Sequence, residues 1–283
     1  MRPHLIALMA AFAAFASPTA ASAETHQRPD LLRHFRAAGT TGTMVVHRAG
    51  PRPETVVAGA RRSRARFLPS STFKIPNSLL AIDRGVASGA AQPYPGPNPN
   101  HLVDGQPFLP ATCEGDLTLA TAFASSCIPI YQRIARQLGR ETYRRGLRAM
   151  HYGNREIDGA PLDGFWLQGP FAISAQEQVR FLERLRRGDL PVSRHALREV
   201  REMMVVERNG ATVLRGKTGY VFTTAPQVGW WVGWVARGRD TWTFALNLDI
   251  TRPEHPAARI SIGHAILEEL GAFGGAARRS RRP

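Results

Sequence analysis

The sequence predicts a mixed α+β fold: one antiparallel β-sheet flanked by helices, with a helical subdomain inserted between its strands. Three observations lead there. β-rich runs occupy both ends of the chain, segments with helical spacing of apolar residues fill the middle, and clusters of Gly, Pro and Asn punctuate the boundaries. Strands distant in sequence then close a single sheet, and chemistry is expected at the seam between sheet and helices.

Taken in order, residues 42–47 and 55–58 are β-rich and flank Ala49-Gly50-Pro51, which reads as a hairpin. Residues 74–84, 117–125, 130–138 and 142–150 place apolar side chains at helical intervals. Ser174 with Glu177 forms a capping box ahead of Val179, Phe181, Leu182 and Leu185, a specific helix-start signal. Pro191 and Ser193 open another helix towards Met204. Strands return at 212–215, 220–223, 228–235 and 241–248, the last two joined by the turn Arg237-Gly238-Arg239-Asp240. A final helix over 257–270 stops at Gly271, a C-terminal glycine cap. Residues 88–101, rich in Pro, Gly and Asn, predict a surface loop, and no internal repeat is present.

Residues 1–23 carry Arg2 and His4, an apolar run over 5–15, and Ala21-Ser22-Ala23 before Glu24, the pattern of a cleavable secretory signal peptide. The run is too short for a permanent anchor, and no later stretch reaches the ~18 apolar residues of a membrane helix. The expectation is a periplasmic or secreted protein without a membrane anchor, cleaved near Ala23. It has one catalytic domain over 24–275 and a basic, disordered tail over 276–283. The formal net charge of +15 suits nucleic acid only if the arginines form one stripe. They are scattered instead, in clusters at 61–66, 144–145, 186–187 and 278–282 without interleaved aromatics, so no nucleic-acid partner is expected. The histidines show no metal-ligand spacing, and no metal is expected either. Cys113 and Cys127 are an even pair suited to an oxidising compartment, but a helix between them leaves their pairing open. Nothing in the sequence speaks to oligomeric state.

The chemistry is marked by lysine. Of 37 basic residues 35 are arginine, and the two lysines, Lys74 and Lys217, each sit in a motif. Arginine cannot lose its proton in a protein, whereas burial can drive a lysine neutral and make it a base. Ser71-Thr72-Phe73-Lys74 opens an apolar helical run, and a three-residue separation puts Ser71 and Lys74 on one helix face. Backbone N–H groups at the start of that helix suit a developing oxyanion. Lys217-Thr218-Gly219 lies between β-rich flanks: Thr218 offers a donor for a carboxylate, and Gly219 removes a side chain that would block close approach. A phosphate-loop reading of Gly216-Lys217-Thr218 fails, because it requires a glycine at position 211, where the chain has alanine.

On these motifs the chain resembles the class D serine β-lactamases, the oxacillinase family, over nearly all of the mature region. Pro69 to Asn77 matches the family's nucleophile motif, and Ser126-Cys127-Ile128 resembles its Ser-x-Val motif with isoleucine for valine. Tyr152-Gly153-Asn154, Phe165-Trp166-Leu167, Lys217-Thr218-Gly219 and Pro226-Gln227-Val228-Gly229-Trp230 follow in the expected order. Tyr152-Gly153-Asn154 reads as a structural turn. The Ser-Asp-Asn motif of class A enzymes is absent, as is the glutamate segment that serves their deacylation.

The resemblance implies a β-lactamase/transpeptidase-like fold and an acyl-enzyme on Ser71, with a β-lactam as small-molecule substrate and no cofactor beyond carbon dioxide. The base would be Lys74 carboxylated on its amine, walled by Phe73, Ile128, Trp166 and Leu167, with the Trp166 indole as donor. Ser126 beside Lys217 would pass a proton to the leaving nitrogen, and Ser71 and Tyr220 N–H groups would hold the oxyanion. Thr218 and Arg259 would meet the substrate carboxylate. A penicillin-binding peptidase or a β-lactam-sensing domain shares these motifs and acylates without efficient turnover.

Overall fold

The computed structural model describes residues 24–98, 102–103, 106–107 and 113–274. The expected signal segment and arginine tail lie outside the described residues, as does the end of the 88–101 loop. A seven-stranded sheet runs in the order Glu24–Gln27, Glu54–Ala58, Gly42–Ala49, Asp240–Ile250, Gln227–Arg237, Thr212–Val221, Val205–Asn209. All its pairings are antiparallel except the first, where Glu24–Gln27 lies parallel to Glu54–Ala58.

Most helices between residues 60 and 203 cover one face of this sheet, and the C-terminal helix His255–Glu269 covers the other. The period-two alternation of a strand divides the two cores. Along Gln227–Arg237, Val228, Trp230, Val232 and Trp234 pack into the helical subdomain. Trp231 and Val235 point the opposite way, to Ile262, Ile266 and Leu267. Gly263 matters here: a Cβ at that position would come within 2.4 Å of the Trp231 ring, so only glycine lets helix and strand approach this closely.

Local signals in the sequence set several helix ends. Ser174 and Glu177 form the predicted reciprocal cap of Ala175–Arg187, and Ser193 caps Arg194–Met203. Thr118 and Thr121 build a second capping box at Leu119–Ala124, so that helix begins two residues later than its apolar spacing suggests. Leu117 and Thr118 instead pair with Pro93 and Tyr94, giving the predicted surface loop a short ribbon. Gly271, at φ +77°, closes the final helix as expected.

Three strands of the sheet differ from the prediction. Glu24–Gln27 was not predicted and joins the edge parallel to Glu54–Ala58, where an all-antiparallel sheet was expected. Residues 212–215 and 220–223 belong to one strand, Thr212–Val221, because the backbone of Gly216, Lys217 and Gly219 pairs straight through with Gly233, Val232 and Trp230. Glycine lowers strand propensity but does not prevent pairing when a full-length neighbour supplies the ladder. Val205–Asn209 was not predicted; it forms a hairpin with that strand around Gly210, at φ +54°. The open question of the cysteines is also answered. Leu119–Ala124 is only six residues long, the chain doubles back after it, and Cys113 and Cys127 meet in a disulfide with Cα atoms 5.3 Å apart.

Candidate active site

Ser71 sits in a 3-10 turn, Ser70–Phe73, which runs directly into the helix Lys74–Asp83. That turn is tied down from three sides. Ser70 holds a left-handed backbone at φ +48° while its hydroxyl donates to the Tyr220 carbonyl at 2.6 Å and its N–H to the Trp166 carbonyl at 3.0 Å. Thr72 donates to the Pro69 carbonyl and accepts from Gln178, a buried side chain that also reaches the Tyr152 hydroxyl. Gly219 completes the clamp: a Cβ there would press on the Pro69 carbonyl at 3.0 Å and on Thr72 at 3.1 Å. The close approach that this glycine permits is therefore that of the strand to the Ser70–Phe73 turn.

Within the turn, Lys74 Nζ donates to Ser71 Oγ at 3.1 Å. Lys74 is 1% exposed, and its ammonium lies 5.0 Å from the centre of the Tyr131 ring. Burial, and then the charge of Lys217, push its pKa well below the ordinary lysine value. Lys217 donates to Ser126 Oγ at 2.5 Å and to the Thr218 carbonyl, over the ring of Phe123. Its pKa is pushed down to about 7 by burial and, next, by Arg259. Neither lysine forms an ion pair with a carboxylate among the described residues, so two buried amines face two serine hydroxyls with nothing anionic to hold their protons.

The wall beside Lys74 is aromatic. Phe73 stacks on Trp166 with ring centres 5.4 Å apart and meets Phe165, Phe171, Tyr143 and Tyr152 at 5.0 to 6.0 Å. Ile128 and Leu167 are buried in the same core. The Trp166 indole nitrogen is buried and has no hydrogen-bond partner among the described residues. A buried donor left unpaired is costly, of the order of 1–3 kcal/mol, and points to a missing acceptor.

Arg259, on the C-terminal helix, donates through Nη1 to the Gly219 carbonyl at 2.9 Å, which brings its guanidinium to the Lys217-Thr218-Gly219 strand. Burial lowers its pKa to about 10. Alternation along that strand sends Lys217 towards Ser126, while Tyr220 packs with the C-terminal helix core. Ser71, Lys74, Ser126, Lys217 and Arg259 are thus linked pairwise around the junction of sheet and helices.

The penicillin-binding protein transpeptidase domain model matches residues 39–269. The chain is 36% identical over 268 residues to β-lactamase OXA-48 of Klebsiella pneumoniae, covering 94% of this chain and 98% of that protein. It is 34% identical to β-lactamase OXA-10 of Pseudomonas aeruginosa, over 92% and 95% of the two chains. Among solved structures it is similar to the class D β-lactamase YbXI from Nostoc, with TM-score 0.79, 34% identity and coverage of 86% and 99%. The chain belongs to the class D β-lactamases. A second structure, FUS-1 (OXA-85), a class D β-lactamase from Fusobacterium nucleatum subsp. polymorphum, has TM-score 0.80 at 30% identity, over 88% of this chain and 100% of that one.

As a class D β-lactamase the protein is a hydrolase, and several residues of its site escaped sequence reasoning. Ser70, Gln178, Tyr131 and Phe123 all touch the motif side chains; Ser70 and Tyr131 lie within or directly after motifs read from the sequence but were given no role there, and Phe123 sits in an ordinary helical run. Gln178 offered a further signal, as an amide on the apolar face of an amphipathic helix. Tyr152-Gly153-Asn154 is a turn as read: Gly153 is at φ +59°, and the Asn154 side chain accepts from Glu156 and Ala172 N–H and donates to the Pro170 carbonyl. A cavity of about 300 Å³ adjoins Lys217 and Thr218, between Phe123, Met204 and Ile260. A larger one, about 690 Å³, lies away from the serines, between the strand at His47 and the helix at Glu183. No group of three or more His, Cys, Asp or Glu among the described residues is placed to hold a metal, and no described helix is long and apolar enough to cross a membrane.

Proposed function

We propose that this β-lactamase hydrolyses the lactam amide of penicillin-type antibiotics through an acyl-enzyme on Ser71, with Lys74 in its carboxylated form as general base. The observation that carries the reading is the pairing of a dry, carboxylate-free amine 3.1 Å from Ser71 Oγ with an orphaned indole donor on the adjoining wall. Carbon dioxide adds only to a neutral amine, and burial supplies one. The residues present fit the group: Trp166 has a donor to give it, and the rings of Phe73 and Tyr131 keep the site apolar. When bound, the carboxylate supplies a base for the Ser71 proton and then for the hydrolytic water.

Ser71 Oγ attacks the lactam carbonyl, whose oxygen is received by the N–H groups of Ser71 and Tyr220. Ser70 supports that arrangement, because its bond to the Tyr220 carbonyl fixes the peptide next to the oxyanion donor. As the C–N bond breaks, the nitrogen takes the Ser126 proton, which Lys217 replaces across 2.5 Å. A lysine with a pKa near 7 is well matched to this exchange at neutral pH. Thr218 and Arg259 hold the substrate carboxylate from the strand side. Before hydrolysis the proton taken from Ser71 leaves to solvent and Lys217 takes one back. Water then attacks the acyl carbon as its own proton is drawn off, the Ser71 ester bond breaks, and that proton is delivered to Ser71 Oγ.

The proposed setting is outside the cytoplasm after removal of residues 1–23, where such hydrolysis would confer β-lactam resistance. Steady turnover of a chromogenic cephalosporin, measured with and without bicarbonate, tests the reading. Bicarbonate-dependent turnover is expected. A single burst without turnover would assign the chain to acylation alone, as in a penicillin-binding peptidase or a sensor, and turnover indifferent to bicarbonate would remove the carboxylated lysine.

A further inference from the structure

The disulfide joins the catalytic machinery to a segment that takes no direct part in it. Cys127 immediately follows Ser126 and is the N-cap residue of Ile128–Leu138; both cysteines are buried, at 1% and 0% exposure. Ser126 itself holds φ +61°, a left-handed conformation that a residue with a Cβ adopts only when its surroundings impose it. Short-range hydrogen bonds supply part of that restraint: Ser126 N–H donates to the Phe123 carbonyl at 3.2 Å and Cys127 N–H to Ala122 at 2.9 Å. Both of these act from the helix before the turn. On the far side, Cys127 provides no side-chain hydrogen bond to the helix it begins, and its side chain is instead bonded to Cys113.

We propose that the Cys113–Cys127 disulfide is a positioning element for proton delivery: it holds Ser126 in its left-handed conformation, with Oγ on Lys217. The crosslinked loop also contains Phe123, whose ring lies 5.6 Å from Lys217 Nζ, so the same covalent tie sets both the hydroxyl and the surface beneath the amine. Release of the tie lets the turn relax toward an ordinary backbone conformation, which swings Ser126 Oγ off the amine. Ser71 and Lys74 lie outside the crosslinked loop, on the turn Ser70–Phe73 and the helix Lys74–Asp83, and their mutual hydrogen bond should survive its release. The inference rests on the reading of Ser126 as proton donor to the leaving nitrogen.

The test is single-turnover acylation by a penicillin, with substrate binding measured separately, in Cys127→Ala, Cys113→Ala, the double variant, and each of these in a Ser126→Ala background. Misplacing a catalytic group by about 1 Å costs up to roughly 100-fold, so the three cysteine variants should acylate about 10- to 100-fold more slowly, by equal factors, with binding changed less than threefold. Their effect should vanish once Ser126 is alanine. Crosslink-free protein that acylates at the wild-type rate overturns the proposal, as does a loss that persists undiminished in the Ser126→Ala background. If the variants do not fold, wild-type enzyme reduced under native conditions, with its free thiols counted, gives the same comparison. Ser126→Ala that itself acylates normally would instead sink the proton-donor role, a result distinguishable from failure of the disulfide proposal.

Discussion

Replacing Trp166 by Phe removes the indole N–H and retains an aromatic ring to face Phe73, now stacked at 5.4 Å. That N–H is a buried donor without a partner among the described residues. If its acceptor is the carboxylated Lys74, the substitution removes a hydrogen bond to a charged group, which contributes about 1.5–3 kcal/mol. With one power of ten for each ~1.4 kcal/mol, the affinity of Lys74 for carbon dioxide should fall roughly 10- to 150-fold. The assay is steady-state cephalosporin hydrolysis across a bicarbonate series, at a pH where the wild type is saturated. Trp166→Phe should be nearly inactive at ambient carbon dioxide and should recover most of its kcat at high bicarbonate, with half-saturation displaced by that factor. A variant whose activity falls by the same ratio at every bicarbonate concentration would refute the reasoning, because simple loss of packing predicts that result.

Three further predictions follow from burial and charge. Lys217 has a folded pKa of about 7 against an unfolded value near 10.5, so its charged form opposes folding fully below pH 7 and the cost is relieved as pH rises towards 10.5. Denaturant unfolding of wild type and Lys217→Met should therefore show the wild type gaining on the variant across that window, by up to about 1.4 kcal/mol per pH unit; parallel curves would contradict the depressed pKa. Arg259→Ala removes the positive neighbour that lowers Lys217 and opens its site to water, so the Lys217 limb of the pH–rate profile should move to higher pH, with KM for penicillins raised more than kcat is lowered; an unmoved limb and KM would take Arg259 out of the site. Gly263→Ala drives a methyl into the Trp231 ring and should cost about 1–3 kcal/mol in thermal or denaturant melts while leaving low-temperature kcat unchanged; an unshifted melting temperature would show that the helix is not packed as described.

The fold was legible wherever a local rule decides. The capping box at Ser174, the turn at Arg237-Gly238-Arg239-Asp240 and the stop at Gly271 depend on a few adjacent residues, and each lies where the pattern put it. Val205–Asn209 was missed because its predecessor is a strongly amphipathic helix and its own residues are mostly exposed, so no buried face marks it; the Asn209-Gly210 turn was the available signal. The parallel edge strand Glu24–Gln27 is four residues long and gains its partner from elsewhere in the chain.

The pairing of Ser71 with Lys74 and of Ser126 with Lys217 in the candidate site was foreshadowed by the motifs, and most sharply by the survival of two lysines among 37 basic residues. What the sequence could not supply were bonds across more than a hundred residues, such as Ser70 to Tyr220 and Gln178 to Thr72, since no local spacing encodes them. The meeting of Cys113 with Cys127 depended on a helix shorter than its apolar pattern suggested.

The account depends on Lys74 Nζ being uncharged long enough to bond carbon dioxide. Carbon-13 NMR of the folded enzyme in ¹³C-labelled bicarbonate measures this directly. The account predicts one carbamate resonance that is lost in Lys74→Ala, kept in Lys217→Met, and weakened in Trp166→Phe at low bicarbonate. An enzyme that turns over substrate while showing no such resonance, or one whose signal survives removal of Lys74, would contradict it.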